Sequence, residues 1–242
     1  MISAKRLIRR VIGDRAYIWL HQRRNARWQL WFWVLVGRQV HGRPDISRTT
    51  ERHGEWSICP TGLGPDSVVY SVGIGKDISF DLSLIRRYGM TIHAFDPTPE
   101  SLAWVRTQSV PPELRIHELG LAGFDGTAEF AAAAEPSNIY YSMVHQPGAR
   151  TIRAEVRTLQ SLMAMLGHRR IDLLKIDIEG AEYDVIDQFV HAGTDVTQFL
   201  VEFHHRYGGA WRTRAALRLL RRSGYRVFNI APSYAEYSLL RI

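Results

Sequence analysis

The run Asp172-Leu-Leu-Lys-Ile-Asp-Ile-Glu-Gly-Ala-Glu182 constrains the fold more than any other part of the chain. Its apolar positions are near-continuous, the pattern of a parallel strand covered on both faces. The run ends in charge just where a helical pattern, Ala181 to Val190, begins. Open α/β sheets bind their ligands beyond the carboxyl ends of the strands, so Lys175, Asp177, Glu179 and Glu182 stand where chemistry is expected. Acids at a helix N-terminus also complement its dipole, and one or two of these could serve structure alone.

A second strand tip lies a hundred residues earlier. Ser67-Val-Val-Tyr-Ser-Val-Gly-Ile-Gly-Lys-Asp77 reads as strand, glycine turn and helix start, with Ile78, Leu82 and Ile85 at helical spacing to dock the helix on the sheet. Gly73 and Gly75 permit positive φ and close approach of the backbone to a ligand. The following strand, Thr91-Ile-His-Ala-Phe-Asp96, ends in a carboxylate 23 positions after Gly73, placed to accept hydrogen bonds from both hydroxyls of a ribose. Together these imply a nucleotide-like ligand.

Which nucleotide follows from what is missing. A dinucleotide fingerprint needs Gly or Ala where Ile78 stands, and the branched side chain disfavours the pyrophosphate turn. Gly75-Lys76 is not followed by Ser or Thr, so no phosphate-binding loop of the G-x-x-x-x-G-K-[ST] type exists. S-adenosylmethionine carries no phosphate and needs only the open turn and the ribose acid.

Val69-Tyr-Ser-Val-Gly-Ile-Gly-Lys-Asp77, His93-Ala-Phe-Asp-Pro-Thr-Pro99, Leu121-Ala-Gly-Phe-Asp-Gly-Thr127 and Leu174-Lys-Ile-Asp-Ile-Glu-Gly-Ala-Glu182 resemble, in order and spacing, the FkbM family of class I S-adenosylmethionine-dependent methyltransferases. The resemblance covers roughly residues 55 to 242 and is marked toward the branch of animal methyltransferase-like proteins. It implies a Rossmann-like α/β fold: a seven-stranded, mostly parallel sheet with a C-terminal antiparallel hairpin and helices on both faces. It also implies transfer of a methyl group to a hydroxyl oxygen. By that analogy Gly73, Gly75 and Asp77 meet the methionine end of the cofactor, Asp96 its ribose, and Leu121 the adenine edge. The chain departs from the family at Ser71, where class I enzymes carry an acid, and Asp77 is the candidate replacement.

The net charge of +7 is unevenly spread. Residues 1–50 hold eleven Lys or Arg against Asp14 and Asp45, a balance of +9, so residues 51–242 sum to −2. This divides the chain into a basic, aromatic-rich leader over 1–50 and a methyltransferase domain over 51–242. Within the leader, Trp28 to Val36 is too short to span a bilayer, which takes about 20 apolar residues, and no signal-peptide pattern is present. Two readings remain open: a lid or packing helix over the cleft or a dimer contact, or an interfacial helix that brings residues 1–45 to an anionic membrane. The expected location is cytoplasmic, with peripheral membrane contact on the second reading, and no nucleic-acid module is recognised. Cys59 is the single cysteine, which excludes an intramolecular disulfide framework and reads as a buried structural thiol.

Further strands are expected at Leu114 to Glu118, Gln198 to Phe203, Tyr225 to Ile230 and Tyr237 to Ile242, with helices at Pro99 to Thr107, Leu159 to Leu166 and Arg212 to Arg222. Leu121 through Arg150, with its Ala131-Ala-Ala-Ala-Glu135 run, reads as irregular; Asn138, Tyr140 and Tyr141 within it are candidates for the substrate side. Glu202-Phe-His-His-Arg206 is a second chemical cluster, and strand alternation sends Glu202 and His204 to one side. Asp177, Glu179 and His204 are therefore the candidate catalytic residues, positioning an acceptor hydroxyl and taking its proton. Their donor atoms suit a divalent ion, but the sequence defines no ligand spacing and no metal site is assigned from it. Two other classes stay open: a nucleotide-dependent oxidoreductase, against which Ile78 argues, and a non-enzymatic membrane-associated adaptor with a degenerate pocket, which Ser71 suggests.

Overall fold

The computed structural model describes residue 40, residues 42–132, residues 141 and 142, and residues 151–242. The Trp28 to Val36 segment and the candidates Asn138 and Tyr140 lie outside the described residues. A seven-stranded sheet is built from β3 (Val69–Val72), β4 (Ile92–Phe95), β5 (Leu114–His117), β10 (Ile171–Ile176), β11 (Val196–Glu202), β12 (Tyr225–Ile230) and β13 (Glu236–Arg241). Their order is β12-β13-β11-β10-β3-β4-β5. β11, β10, β3, β4 and β5 run parallel, while β13 pairs antiparallel with both β11 and β12.

Alternation along the strands explains why the sheet is covered on both sides. Tyr70, Val72, Leu174, Ile176, Phe199 and Val201 pack in one core with α3 (Leu159–Leu166), α4 (Glu182–His191) and α5 (His205–Arg222). Val69, Leu173 and Leu200 point into a second core with α1 (Ser79–Tyr88), to which α2 (Pro99–Val105) contributes Val105. Each fully buried large apolar side chain contributes about 1.5 to 3 kcal/mol, so the two cores together dominate the stability of the sheet. Ile78 and Ile85 are buried at the sheet face, as their spacing predicts. α1 then stops at Gly89, whose φ of 68° is the left-handed helix terminator.

The two-stranded ribbon β1 (Glu51–His53) and β2 (Trp56–Ile58) leads into the sheet and is clasped to it. The Gln198 amide accepts from Cys59 N at 2.8 Å and donates to Cys59 O at 2.7 Å, and Cys59 is buried, as a structural thiol would be. Asp172 Oδ2 accepts from Val68 N at 2.8 Å, aligning the starts of β3 and β10. The stretch before β1 is tied down at Asp45, which accepts from Val227 N at 2.9 Å and pairs with Arg221 at 3.0 Å. No helix among the described residues is long and apolar enough to cross a membrane.

Two expectations are corrected. The last helix starts at His205, seven residues before Arg212, and is broken at Gly209, where φ is 75° and ψ is 165°. Residues 121–150 are not uniformly irregular: β6 (Gly120–Leu121), β7 (Gly126–Ala132) and β8 (Tyr141–Ser142) join β9 (Thr151–Arg157) in a four-stranded sheet of order β6-β9-β7-β8. Along β7 Ala128 and Phe130 are buried while Thr127 and Glu129 are exposed, the period of two expected of a half-buried strand. What stabilises β7 is its antiparallel ladder with β9, from Gly126 opposite Val156 to Ala131 opposite Thr151.

Candidate active site

The carboxyl ends of β3, β4, β10 and β11 open on a cleft of about 550 Å³, within the usual range for small-ligand sites. Trp56 and Phe80 wall it on one side, Leu121 and Phe130 on another. Gly73, Gly75, Asp77, Asp96, Leu121, Asp177, Glu179 and His204 all line this one cleft, so the structure brings the candidate catalytic and cofactor-binding residues together.

The glycine turn is shaped by contact with the neighbouring strand tip. Gly73 has φ of 77°, and a Cβ there would lie 1.7 Å from the Asp177 carbonyl oxygen, so no other residue fits without moving β10. Gly75, at φ of 53°, has open space where its Cβ would be, and its constraint is conformational. Lys175, named among the strand-tip residues, donates to Gly73 O at 2.8 Å and lies 5.6 Å from the Trp56 ring centroid, clamping the turn from below. Asp77 Oδ1 accepts from Ser79 N at 2.8 Å, an Asx turn at the entry to α1.

Asp96 is 4% exposed and already engaged. Its Oδ2 accepts from Gly75 N at 3.0 Å, while Oδ1 accepts from Thr98 N at 2.9 Å and from the Thr98 hydroxyl at 2.6 Å. A carboxylate offers roughly four acceptor positions, so these three bonds leave about one, on Oδ2. This geometry accommodates one incoming hydroxyl, not the two that the sequence pattern alone suggested. It also links turn to acid: the residue that closes the second strand holds the first strand's glycine loop.

At the opposite end, carboxylates crowd one histidine. His204 Nε2 lies 3.6 Å from Asp177 Oδ1, 3.5 Å from Glu179 Oε2 and 3.7 Å from Glu202 Oε1. Its Nδ1 faces Glu182 Oε2 at 3.6 Å, a close ionic contact longer than a hydrogen bond. Glu182 is fully buried and held by Gly180 N at 2.7 Å and His204 N at 2.8 Å. Burial by itself would lower the His204 pKa, but the carboxylate of Glu182, then those of Glu179 and Asp177, overcome it and hold the imidazole up at about 9. Burial, followed by the charge of Asp177, pushes Glu202 up to about 8. Glu202 also stands directly opposite Glu236 across the antiparallel β11 and β13 pair, an arrangement of like charges that a sheet ordinarily avoids. Glu179 adopts φ of 52° without being glycine, a strained conformation of the kind that concentrates at functional sites.

Three features of the site needed the fold. Glu202 was grouped with His204 by alternation, but its proximity to Asp177 depends on β10 and β11 being neighbours. Glu182 was legible as a helix-start acid, and only the fold shows that it backs His204. Phe130 comes from β7, whose alternation of Ala128 and Phe130 with Thr127 and Glu129 was the available signal.

Comparison with known proteins makes the class of this α/β chain specific. Residues 68–227, more than half of the chain, match the model of the Methyltransferase FkbM domain, and the chain belongs to that family. It is 26% identical to human "Probable methyltransferase-like protein 24" over 168 residues, 65% of this chain and 40% of that protein. It is 28% identical to the rat protein of the same name over 144 residues, 58% of this chain and 34% of that protein. AMB antimetabolite synthetase AmbE of Pseudomonas aeruginosa is 29% identical over 242 residues, covering 74% of this chain and 11% of that protein. The chain thus spans 40% or less of the length of these relatives.

Proposed function

We propose that the chain is an S-adenosylmethionine-dependent methyltransferase acting on a hydroxyl oxygen of a small molecule or glycan. The observation that carries the cofactor assignment is the joined pair of glycine turn and second-strand acid, in which Gly75 N donates to Asp96 Oδ2 at 3.0 Å at the edge of the cleft. The family and the strand order, with an antiparallel pair added at the β11 edge, support the class I Rossmann-like reading. The residues fit the cofactor: the turn is open at Gly75, and the remaining acceptor position of Asp96 suits a ribose hydroxyl. Gly73, Gly75 and Asp77 would hold the methionine end, and Leu121 the adenine edge.

When bound, S-adenosylmethionine supplies an electrophilic methyl carbon on a sulfonium, which an acceptor oxygen takes as the carbon–sulfur bond breaks and S-adenosylhomocysteine leaves. The chain's own part is alignment and proton removal. Fixing acceptor and methyl in line can contribute about 7 to 11 kcal/mol. Asp177 and Glu179 are placed to orient the hydroxyl and receive its proton. His204, with Nε2 at 3.6 Å from Asp177 Oδ1 and 3.5 Å from Glu179 Oε2, shares in that positioning and proton removal. The basic leader, over residues 1–45, remains a proposed contact with anionic membrane from a cytoplasmic location, and nucleic acid plays no part in this reading.

Isothermal titration of the full chain with S-adenosylmethionine and S-adenosylhomocysteine tests the proposal. Asp96→Ala removes one charge-assisted bond to the ligand, about 1.5 to 3 kcal/mol, and weakens binding at least tenfold. Affinity that does not change in a folded Asp96→Ala chain, or no binding by the unmodified chain, overturns the cofactor assignment.

A further inference from the structure

We propose that Asp177, Glu179 and His204 form a site for one hard divalent cation at the acceptor end of the cleft, with Glu202 beside it and Glu182 orienting the histidine from behind. The inference rests on assigning the β10 and β11 tips to the acceptor. Its geometry is independent of the cofactor.

The donor atoms have the spacing of one coordination sphere. Adjacent ligands of an octahedral ion are separated by the bond length times the square root of two, about 3.0 Å for a Mg²⁺-sized ion and about 3.5 Å for a Ca²⁺-sized one. His204 Nε2 faces Asp177 Oδ1 at 3.6 Å and Glu179 Oε2 at 3.5 Å, and the donor atoms of all three residues lie within 4.8 Å of one another. Glu202 Oε1, at 3.7 Å from the same nitrogen, is a third oxygen at nearly the same distance. An imidazole nitrogen almost equidistant from three carboxylates marks a common centre among them better than it marks a single ion pair. The distances already match a Ca²⁺-sized ion, and contraction by roughly half an ångström or a little more brings the set onto a Mg²⁺-sized one.

The support behind the site points the same way. A metal-bound histidine commonly turns its second ring nitrogen to a carboxylate that fixes its tautomer and orientation. Here that nitrogen, Nδ1, faces Glu182, which is fully buried and held by two backbone amides. The charge balance adds to the case. Four carboxylates surround one imidazole, Glu236 stands across from Glu202, and the nearby ammonium of Lys175 is engaged by Gly73 O. A divalent cation offsets that repulsion. The carboxylate oxygens, with no thiolate beside them, suit Mg²⁺ or Mn²⁺, and the imidazole favours Mn²⁺ of the two. Three protein ligands leave three octahedral positions for water and for acceptor oxygens, which favours acceptors that offer a second oxygen beside the hydroxyl, as sugars do.

The test is a Mn²⁺ titration of the metal-stripped full-length chain, read by loss of the six-line electron paramagnetic resonance signal of free Mn²⁺, with Mg²⁺ as competitor. The expected result is one Mn²⁺ per chain, displaced by Mg²⁺ and bound at least tenfold more weakly in Asp177→Asn and in Glu179→Gln. Titration of each variant with S-adenosylhomocysteine reports whether the glycine turn and fold survive. Absence of Mn²⁺ binding by a chain that binds S-adenosylhomocysteine overturns the cation site and leaves the cofactor reading standing. Binding that both substitutions leave untouched overturns it equally. Mn²⁺ binding by a chain that ignores S-adenosyl ligands supports the cation site and refutes the cofactor reading instead.

Discussion

Replacing Gly73 by Ala separates the two roles that glycine plays in the turn. A Cβ at Gly73 would sit 1.7 Å from the Asp177 carbonyl oxygen and 2.8 Å from its carbonyl carbon. Ordinary contact needs about 3.5 Å, so the β10 tip must withdraw by well over an ångström. That tip is held by the Asp177 N bond to Val72 O at 3.0 Å, and the turn by the Gly73 N bond to Phe95 O at 2.9 Å, so the displacement strains three adjacent strands. Left-handed backbone costs an alanine about 1 to 2 kcal/mol, and overpacking adds about 1 to 3 kcal/mol, giving roughly 2 to 5 kcal/mol of destabilisation. Gly75→Ala is the control. It shares the positive φ but meets nothing within 4 Å, so only the backbone contribution of about 1 to 2 kcal/mol applies. Urea denaturation of both variants, with unchanged slope and a shifted midpoint, reads the difference directly. Equal destabilisation by the two substitutions, or a Gly73→Ala chain as stable as the parent, would refute the close-approach argument.

Two further outcomes are expected. His93 sits at 2.9 Å from His117 and packs edge-on to His168; burial first, then the proximity of those two histidines, lowers its pKa to about 4. The unfolded chain therefore binds a proton at His93 before the folded one does, so stability is complete above pH 6.5 and declines as pH falls toward 4, by about 1 to 3 kcal/mol from this group. Chemical denaturation of His93→Phe across that window should show a shallower decline, and an identical pH profile would remove the histidine cluster as its cause. Truncation of residues 1–39 keeps Asp45 and its bonds to Val227 and Arg221, so the domain should stay folded. If the leader meets membrane, the truncation abolishes salt-sensitive sedimentation with anionic vesicles, since each surface Lys or Arg contributes about 1 kcal/mol there. A full-length chain that ignores such vesicles favours the lid reading.

The strand tips were legible because their information is local. A parallel strand buried on both faces is mostly apolar, so the close run of carboxylates after Ile176 announces that the chain has left the sheet. Gly73 and Asp96 were legible for the same reason, since a turn and an acid at consecutive strand ends need no knowledge of other elements. Even Cys59 could be placed in the interior from its setting. The strands β7 and β9 were harder to read, because the alanine run after Phe130 blurs the short period of two in β7 and the ladder that stabilises them joins Gly126 to Val156, far apart in the chain.

The sequence by itself determined that an α/β sheet places a glycine turn, a second-strand acid and a set of carboxylates at the carboxyl ends of its strands, because hydrophobic period and turn chemistry are written in neighbouring residues. Only the tertiary structure decided that Asp96 reaches back to Gly75, that Gly73 lies against the Asp177 carbonyl, and that Glu182 buttresses His204 while Asp177, Glu179 and Glu202 converge on its other nitrogen. Those contacts depend on β10 lying between β3 and β11 and on the register that sets Lys175 beside Ser71 and Leu200. Order and register are chosen by packing summed over both cores, and no local window of the chain contains that sum.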